Sequence, residues 1–325
     1  MTAVLEVRDL CTHFDTRDGV VKAVDGVSFT LHPGEIIGLV GESGSGKSVT
    51  GFSLLGLVDQ PGRIVGGSIR LNGTELVGLS GKELRRRRGR EIAMVFQDPI
   101  ATLNPLLTIR QQMFMALEAH RRLSAEAMEA RCVEMLQKVG LPEPAARLNA
   151  YPHQFSGGMR QRVAIAIALL HDPAVVVADE PTTALDVSIQ SQILYEMRAL
   201  AKQTGTAMIW ISHDLATVSS LASRLLVMYA GRVVEEGPVA RVLRDPRHPY
   251  TKGLIASLPA TARPGAALVQ IPGTTPSLLS LPPGCAFAPR CPHADPACQA
   301  EPPREQNAER MWRCHHPLNL AGAGA

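Results

Sequence analysis

Apolar and polar residues alternate over residues 4–10 and again over 24–31, the period of half-buried strands, so the chain should open in β structure. Residues 35–40 are a short apolar run ending in a glycine-rich turn, and 48–57 then carries the spacing of a helix. Further strands are expected over 67–71 and 92–96. Between them stand Arg85, Arg86, Arg87 and Arg88, a block that reads as a solvated helix end rather than a nucleic-acid patch. Helical spacing dominates from about 107 to 139, with Ser124 placed to cap the turn before Met128, Cys132, Val133, Met135 and Leu136. Residues 158–170 predict another helix, and 175–178 a buried strand with Asp179 and Glu180 at its exit. Short apolar strands follow helices again at 207–212 and 224–228. Such alternation builds an α/β fold, a mainly parallel sheet covered by helices. Beyond about residue 244, Pro246, Pro249, Pro259, Pro264, Pro272, Pro276, Pro282 and Pro283 break every long pattern, which places a domain boundary near residue 240. The closing Ala-Gly-Ala-Gly-Ala is expected to fray.

Composition narrows the classes. The 325 residues, 45% of them hydrophobic, can build a sizeable core. Thirty-three Lys and Arg against 30 Asp and Glu leave a net charge of +3, too weak a field to draw the chain to nucleic acid or anionic lipid. Aromatic residues, at 4%, are too scarce for base-stacking platforms. The longest apolar run, 163–170, falls well short of the roughly 18 residues of a membrane span. Glu6 and Asp9 stand where a signal peptide needs its apolar stretch, so a cytoplasmic chain is expected.

Gly41-Glu42-Ser43-Gly44-Ser45-Gly46-Lys47-Ser48 completes the pattern G-x-x-x-x-G-K-S/T between a predicted strand and a predicted helix. Glycines let backbone N–H groups converge on phosphates and the helix N-terminus adds its positive end, while Lys47 reaches the β and γ oxygens and Ser48 can ligate Mg2+. A bare turn would need neither the lysine nor the serine. Asp179 and Glu180, at a strand end that faces a ligand crevice, supply a carboxylate for Mg2+ and one to polarise an attacking water. Ser156, Gly157 and Gly158 expose a second helix N-terminus, another anion site.

The stretch Phe155-Ser156-Gly157-Gly158-Met159-Arg160-Gln161-Arg162 resembles the signature motif of ATP-binding cassette ATPases, with Phe155 and Met159 where that family usually has leucine and glutamine. The resemblance implies a P-loop NTPase fold with a RecA-like, mainly parallel core, an N-terminal antiparallel β subdomain and a helical subdomain over about 100–170. These would fill a cassette of residues 1–240, followed by a small proline- and cysteine-rich extension over 241–325. It also implies roles. Gln97, in Val95-Phe96-Gln97-Asp98-Pro99, looks like the Q-loop glutamine that contacts Mg2+ or water and faces a membrane partner. Ala184-Leu185-Asp186 resembles the D-loop, and His213 corresponds to the switch histidine that senses the γ-phosphate and orients water with Glu180. Phe14 stands where an aromatic stacks on adenine, whereas Phe29, in an alternating strand, is expected in the core. ATP would then lie on Phe14, Gly41, Ser43, Gly44, Ser45, Gly46, Lys47, Ser48, Val49, Gln97 and Asp179, with Ser156, Gly157 and Gly158 serving the partner's ATP. Ser48, Gln97 and Asp179 would hold Mg2+, and Glu180, His213 and Gln97 would form the catalytic set.

Residues 247–254 (Arg-His-Pro-Tyr-Thr-Lys-Gly-Leu), 284–292 and 98–105 are similar to the dipeptide, oligopeptide and nickel importer ATPases. That likeness implies an energy-coupling ATPase on the cytoplasmic face of the cell membrane, held there peripherally by two integral permease subunits. A second ATPase, a sister chain or a copy of itself, and an extracytoplasmic solute-binding protein would complete the complex, with no nucleic acid. A dipeptide, a longer peptide, glutathione or a metal chelate all remain open as cargo. Ribosome-acting cassettes usually carry two copies per chain and chromosome-type cassettes insert long heptad segments, and neither feature occurs here. A GTPase would need N-K-x-D, yet none of the five asparagines precedes a lysine.

Cys285, Cys291, Cys298 and Cys314 are separated by five, six and fifteen residues in a segment with little apolar material to fold around. Disulfides are disfavoured in a reducing cytosol, so metal ligation by four thiolates is the expected staple. Structural zinc usually takes cysteines in pairs two to four residues apart, and no such pair occurs. A 4Fe–4S cluster tolerates wider spacing, and the resemblance to the peptide-importer ATPases implies the same; zinc is the alternative.

Overall fold

The computed structural model describes residues 2–183, 185–259 and 269–319. Ala184 of the D-loop reading, Pro264 and the closing Ala-Gly repeat lie outside the described residues. The chain divides into two compact units. Met1–Leu5, Leu31–Ile36 and Leu71–Trp210 make the first, and Glu6–Thr30, Ile37–Arg70 and Ile211–Ala325 make the second.

In the first unit the strand Val175–Asp179 lies between Ile92–Val95 and Ala207–Ser212. Its pairing with Ile92–Val95 is parallel, from Ile92 opposite Val175 to Val95 opposite Ala178. Every residue of these three strands is buried, as parallel strands covered on both faces require, which is why they read as unbroken apolar runs. The helical stretch is two helices, Ile109–Glu118 and Ala125–Lys138, separated by residues 119–124, with Ser124 capping the second by accepting the Ala127 N–H. Ile109, Met113 and Leu117 recur every fourth residue on one buried face, and Met128, Cys132, Met135 and Leu136 do the same on the second helix. Each such side chain contributes roughly 1.5–3 kcal/mol through burial. The helix Gly81–Arg87 buries no residue and carries Arg85, Arg86 and Arg87 in its last turn, the solvated end expected, where cations offset the helix dipole.

The second unit holds two sets of strands. Leu5–Thr16 pairs with Gly19–Leu31 across a two-residue turn and, on its other edge, with Gly62–Leu71; Phe29 is buried there, as expected. In the other set Ile36–Val40 runs parallel to Arg224–Tyr229, with Ile37 opposite Arg224 and Val40 opposite Val227. Arg232–Pro238 returns antiparallel to Arg224–Tyr229, Met311–Arg313 adds antiparallel to that, and Arg304–Gln306 follows. The sequence pattern did not predict these last three strands. Arg232–Pro238 contains Glu235, Glu236 and Gly237, so its period is hidden. Glu235 is nonetheless fully buried, its carboxylate accepting the N–H groups of Arg247 and His248 at 2.9 Å each and the Arg310 guanidinium at 2.6 Å. The extension also has more to fold around than its composition suggests. Tyr229, Tyr250 and Phe287 pack with ring centroids 4.5, 5.3 and 5.4 Å apart. Among the described residues no helix is long and apolar enough to cross a membrane.

Candidate nucleotide site

The loop from Gly41 to Ser48 joins the strand Ile36–Val40 to the helix Lys47–Leu55, the strand, loop and helix order that its motif requires. Gly46 is the helix N-cap at φ 101°, with no side-chain cap, and a Cβ there would run into the Ala23 carbonyl, so only glycine fits. Gly44, at φ 77°, faces open space. Lys47 is buried, and its Nζ donates to the Gly41 and Glu42 carbonyls at 2.9 Å each, so the ammonium sits within the curve of the loop. Among the described residues the buried Ser45 hydroxyl finds no hydrogen-bond partner. Ser48 and Val49 occupy the first turn of the helix, and Ser43 is exposed. This concave, positively biased turn suits a polyphosphate. Phe14, in the same unit, is half-buried with its ring against Gly62, where an added Cβ would come within 2.5 Å of it.

The remaining candidates lie mostly in the first unit. Asp179 ends its strand buried, and Glu180 turns out of it in the left-handed region at φ 46°, a conformation costing a non-glycine residue about 1–2 kcal/mol. The Glu180 carboxylate accepts from Gln97 Nε2 and from Thr183 Oγ1, each at 3.2 Å, so the structure brings Gln97 and Glu180 together. Ser156 caps the helix Gly157–Leu169 by accepting the Met159 N–H. Gly158 is small for a packing reason as well, because a Cβ there would meet Ile189 at 2.7 Å. Asp186 caps the helix Val187–Thr204, and its bonds to the Ile189 N–H and then Ser188 hold its carboxyl below the usual range. His213, in the second unit, is exposed just after the strand Ala207–Ser212.

This geometry has counterparts among known proteins. A family model described as ABC transporter matches residues 24–183. Another, described as the C-terminal region of oligopeptide/dipeptide transporters, matches 234–298. The dipeptide transport ATP-binding protein of Escherichia coli strain K12 is 44% identical over 322 residues, 98% of each chain. The chain belongs to the ABC transporter family. An oligopeptide transport ATP-binding protein of the same organism is 47% identical over 318 residues, 97% of this chain and 94% of that one. Among solved structures, a dimeric ABC cassette in a post-hydrolysis state with ADP and Pi aligns with a TM-score of 0.65 and 27% identity over 72% of this chain and 98% of its own. A Clostridium perfringens subunit of an ABC transporter complex, cbiO1, gives 0.63 and 27% over 74% and 91%. The α/β fold is thus that of the P-loop ABC ATPases, and the chain is an ATPase of that class.

Two features of this ABC chain lie outside the motifs. The first is the grip on Glu42. Its N–H donates to the Tyr250 hydroxyl at 2.8 Å, and its carboxylate accepts from Arg290 at 2.6 and 2.9 Å and from Thr275 at 2.9 Å. The Arg290 bond, chiefly, holds the Glu42 carboxyl below the usual range against the opposing effect of burial. Sequence reasoning missed these contacts because no local pattern links residues more than two hundred positions apart. The second is the cysteine set. Cys285, Cys291, Cys298 and Cys314 are free thiols that line one cavity. Burial raises the Cys285 and Cys291 thiols and pushes Cys314 up to about 12.

Proposed function

We propose that this chain hydrolyses ATP to drive import of peptides or related small solutes. It would act at the cytoplasmic face of the membrane, held there by two permease subunits and paired with a second ATPase, a sister chain or its own copy, and would be supplied by an extracytoplasmic binding protein. The observation that carries this reading is the Lys47 ammonium inside a complete phosphate loop, in a chain aligned over 98% of its length with a dipeptide transport ATP-binding protein. Residues 1–240 would be the cassette, its helical subdomain about 100–170, and 241–325 the importer-type extension.

In this reading the phosphates of ATP would lie along Gly41, Ser43, Gly44, Ser45 and Gly46, and Lys47 would reach the β and γ oxygens while the Gly41 and Glu42 carbonyls hold its ammonium in place. Val49 continues the helix whose positive end faces them, and Phe14 stacks on the adenine. Ser48, Gln97 and Asp179 would hold Mg2+, which would neutralise phosphate charge. Glu180 accepts a proton from the attacking water, and its bond to Gln97 ties that carboxylate to the residue assigned to sense the permease. His213 orients the same water. Ser156, Gly157 and Gly158 cap the ATP of the partner chain. Phe96, Ile100 and Leu106, 38%, 65% and 82% exposed in the stretch around and after Gln97, would offer apolar side chains to the permease.

The test is labelled-dipeptide uptake and ATPase activity in membranes containing the complex. Lys47→Ala should abolish nucleotide binding and uptake together, whereas Glu180→Gln should retain ATP and lose turnover. Near-normal hydrolysis by Glu180→Gln would remove the catalytic assignment, and intact uptake without this chain would remove the transport assignment.

In the same reading Cys285, Cys291, Cys298 and Cys314, which line one cavity, would hold a 4Fe–4S cluster, with zinc the alternative. Among the described residues no three of their sulfurs lie within 4.8 Å of one another, whereas a tetrahedral zinc site with bonds of about 2.3 Å needs sulfurs about 3.8 Å apart. Zinc would have to draw on the tighter set of Cys298, Asp295 and His316, where Asp295 already pairs with His316 at 2.9 Å. Two of these thiols, Cys298 and Cys314, are buried, and a buried thiol needs a cationic partner before it can ionise. Such a cluster would serve as a structural staple. Anaerobic purification should give a brown protein with about four iron atoms per chain; a colourless protein with stoichiometric zinc would overturn the assignment.

A further inference from the structure

We propose that Arg290 and Tyr250 are positioning residues for the phosphate loop, acting through Glu42 so that the C-terminal extension sets the affinity for ATP. The inference rests on the reading of Gly41 to Ser48 as that loop. Glu42 is the hub. Its carbonyl accepts from Lys47 Nζ at 2.9 Å and from the Ser45 N–H at 3.2 Å, both inside the loop. Its N–H and its carboxylate are taken by Tyr250, Arg290 and Thr275 from outside it. Glu42 thereby links the extension to the ammonium that meets the phosphates, with only its own backbone between the two sets of bonds.

Arg290 and Tyr250 are themselves buried. Arg290 is 7% exposed; its Nε donates to the Pro272 carbonyl at 2.8 Å, and its guanidinium lies 5.9 Å from the ring centres of Tyr229 and Phe287. It grips Glu42 with two N–H groups on two oxygens, the fork geometry that fixes orientation as well as distance. Tyr250 is fully buried at the start of the helix Pro249–Ala256. A buried ion pair contributes little net stability against apolar replacements, so stability alone is a poor reason to aim one at a loop. Fixing that loop is a better one. Tyr250 directs the Glu42 N–H outward and Arg290 prevents the side chain from swinging, which leaves the Glu42 carbonyl turned inward to hold Lys47 in register before ATP arrives. Preorganisation of this kind lowers the ordering cost of binding and acts on affinity more than on the chemical step.

The experiment measures KM and kcat for ATP in the full chain within its membrane complex, alongside direct binding of a non-hydrolysable ATP analogue. Arg290→Gln and Glu42→Gln should each raise KM and analogue Kd about tenfold, with kcat changed less than about twofold. The double variant should be no worse than either single one, because both remove the same bond. Arg290→Lys, which keeps the charge and loses the fork, should recover part of the affinity, and Tyr250→Phe should cost about threefold. A merely structural role would lower the melting temperature and the fraction of active protein while leaving KM unchanged, and that result overturns the proposal. Lys47→Ala separates the two levels. If it leaves analogue binding intact, the loop reading itself fails; if it abolishes binding while the Arg290 and Tyr250 variants bind normally, only the positioning role fails.

Discussion

The helices Ile109–Glu118 and Ala125–Lys138 and the extension beyond residue 247 occupy opposite ends of a scale of locality. The helices are capped by Thr108 and Ser124 and bury residues spaced mostly three or four apart, so where each begins and which face it buries is written locally, while that face packs on neighbouring helices. The extension has short helices and three-residue strands, and it is held by single contacts between distant residues: Arg290 with Glu42, Tyr250 with Glu42, Arg310 with Glu235. Many interchangeable apolar contacts make a region tolerant. A few buried polar ones make it vulnerable at each of them.

Arg310→Ala should give the largest loss. Glu235 is fully buried, and removing its guanidinium partner leaves an uncompensated charge, which costs about 3–5 kcal/mol. Urea unfolding of the full chain checks this; a loss below about 1 kcal/mol would mean that the Arg247 and His248 N–H groups suffice for the carboxylate.

A change of pH probes the same region next. His248 is fully buried, which lowers its pKa from the ordinary 6.5 to about 3, and its Nδ1 accepts the Tyr250 N–H. The unfolded chain therefore binds a proton that the folded chain refuses. His248 contributes full stability above about pH 6.5 and loses it progressively as pH falls toward 3, at up to about 1.4 kcal/mol per pH unit. His248→Asn, whose side-chain oxygen can take the same N–H, should flatten the fall of the urea midpoint between pH 6.5 and 5; an unchanged slope would place the proton uptake elsewhere.

Ser124→Ala sharpens the contrast from the helical side. It removes one cap and should cost about 1 kcal/mol, with ATP affinity unaltered. A loss as large as that of Arg310→Ala would erase the distinction between the two regions.

Locality also decides what the sequence revealed. The buried strands at 92–95, 175–179 and 207–212, the Ser124 cap and the strand-loop-helix setting of Lys47 were all legible, because each is a pattern of neighbours. Gly158 was read as an anion-site glycine, and its packing against Ile189 became visible only in three dimensions. Arg232–Pro238 escaped because Glu235 looks like a surface residue until Arg310 is placed beside it. The grip on Glu42 left no trace at all, since a variable position of a phosphate-loop motif can hold any residue.

The second unit is assembled from three stretches, Glu6–Thr30, Ile37–Arg70 and Ile211–Ala325. During synthesis the phosphate loop therefore emerges from the ribosome long before Tyr250 and Arg290, and Glu235 emerges before Arg310 can neutralise it. A chain arrested near residue 280 would carry the complete phosphate-loop motif while Glu235 lacked its Arg310 counter-charge. The partners that hold Glu42 and Glu235 are thus made after the residues they hold.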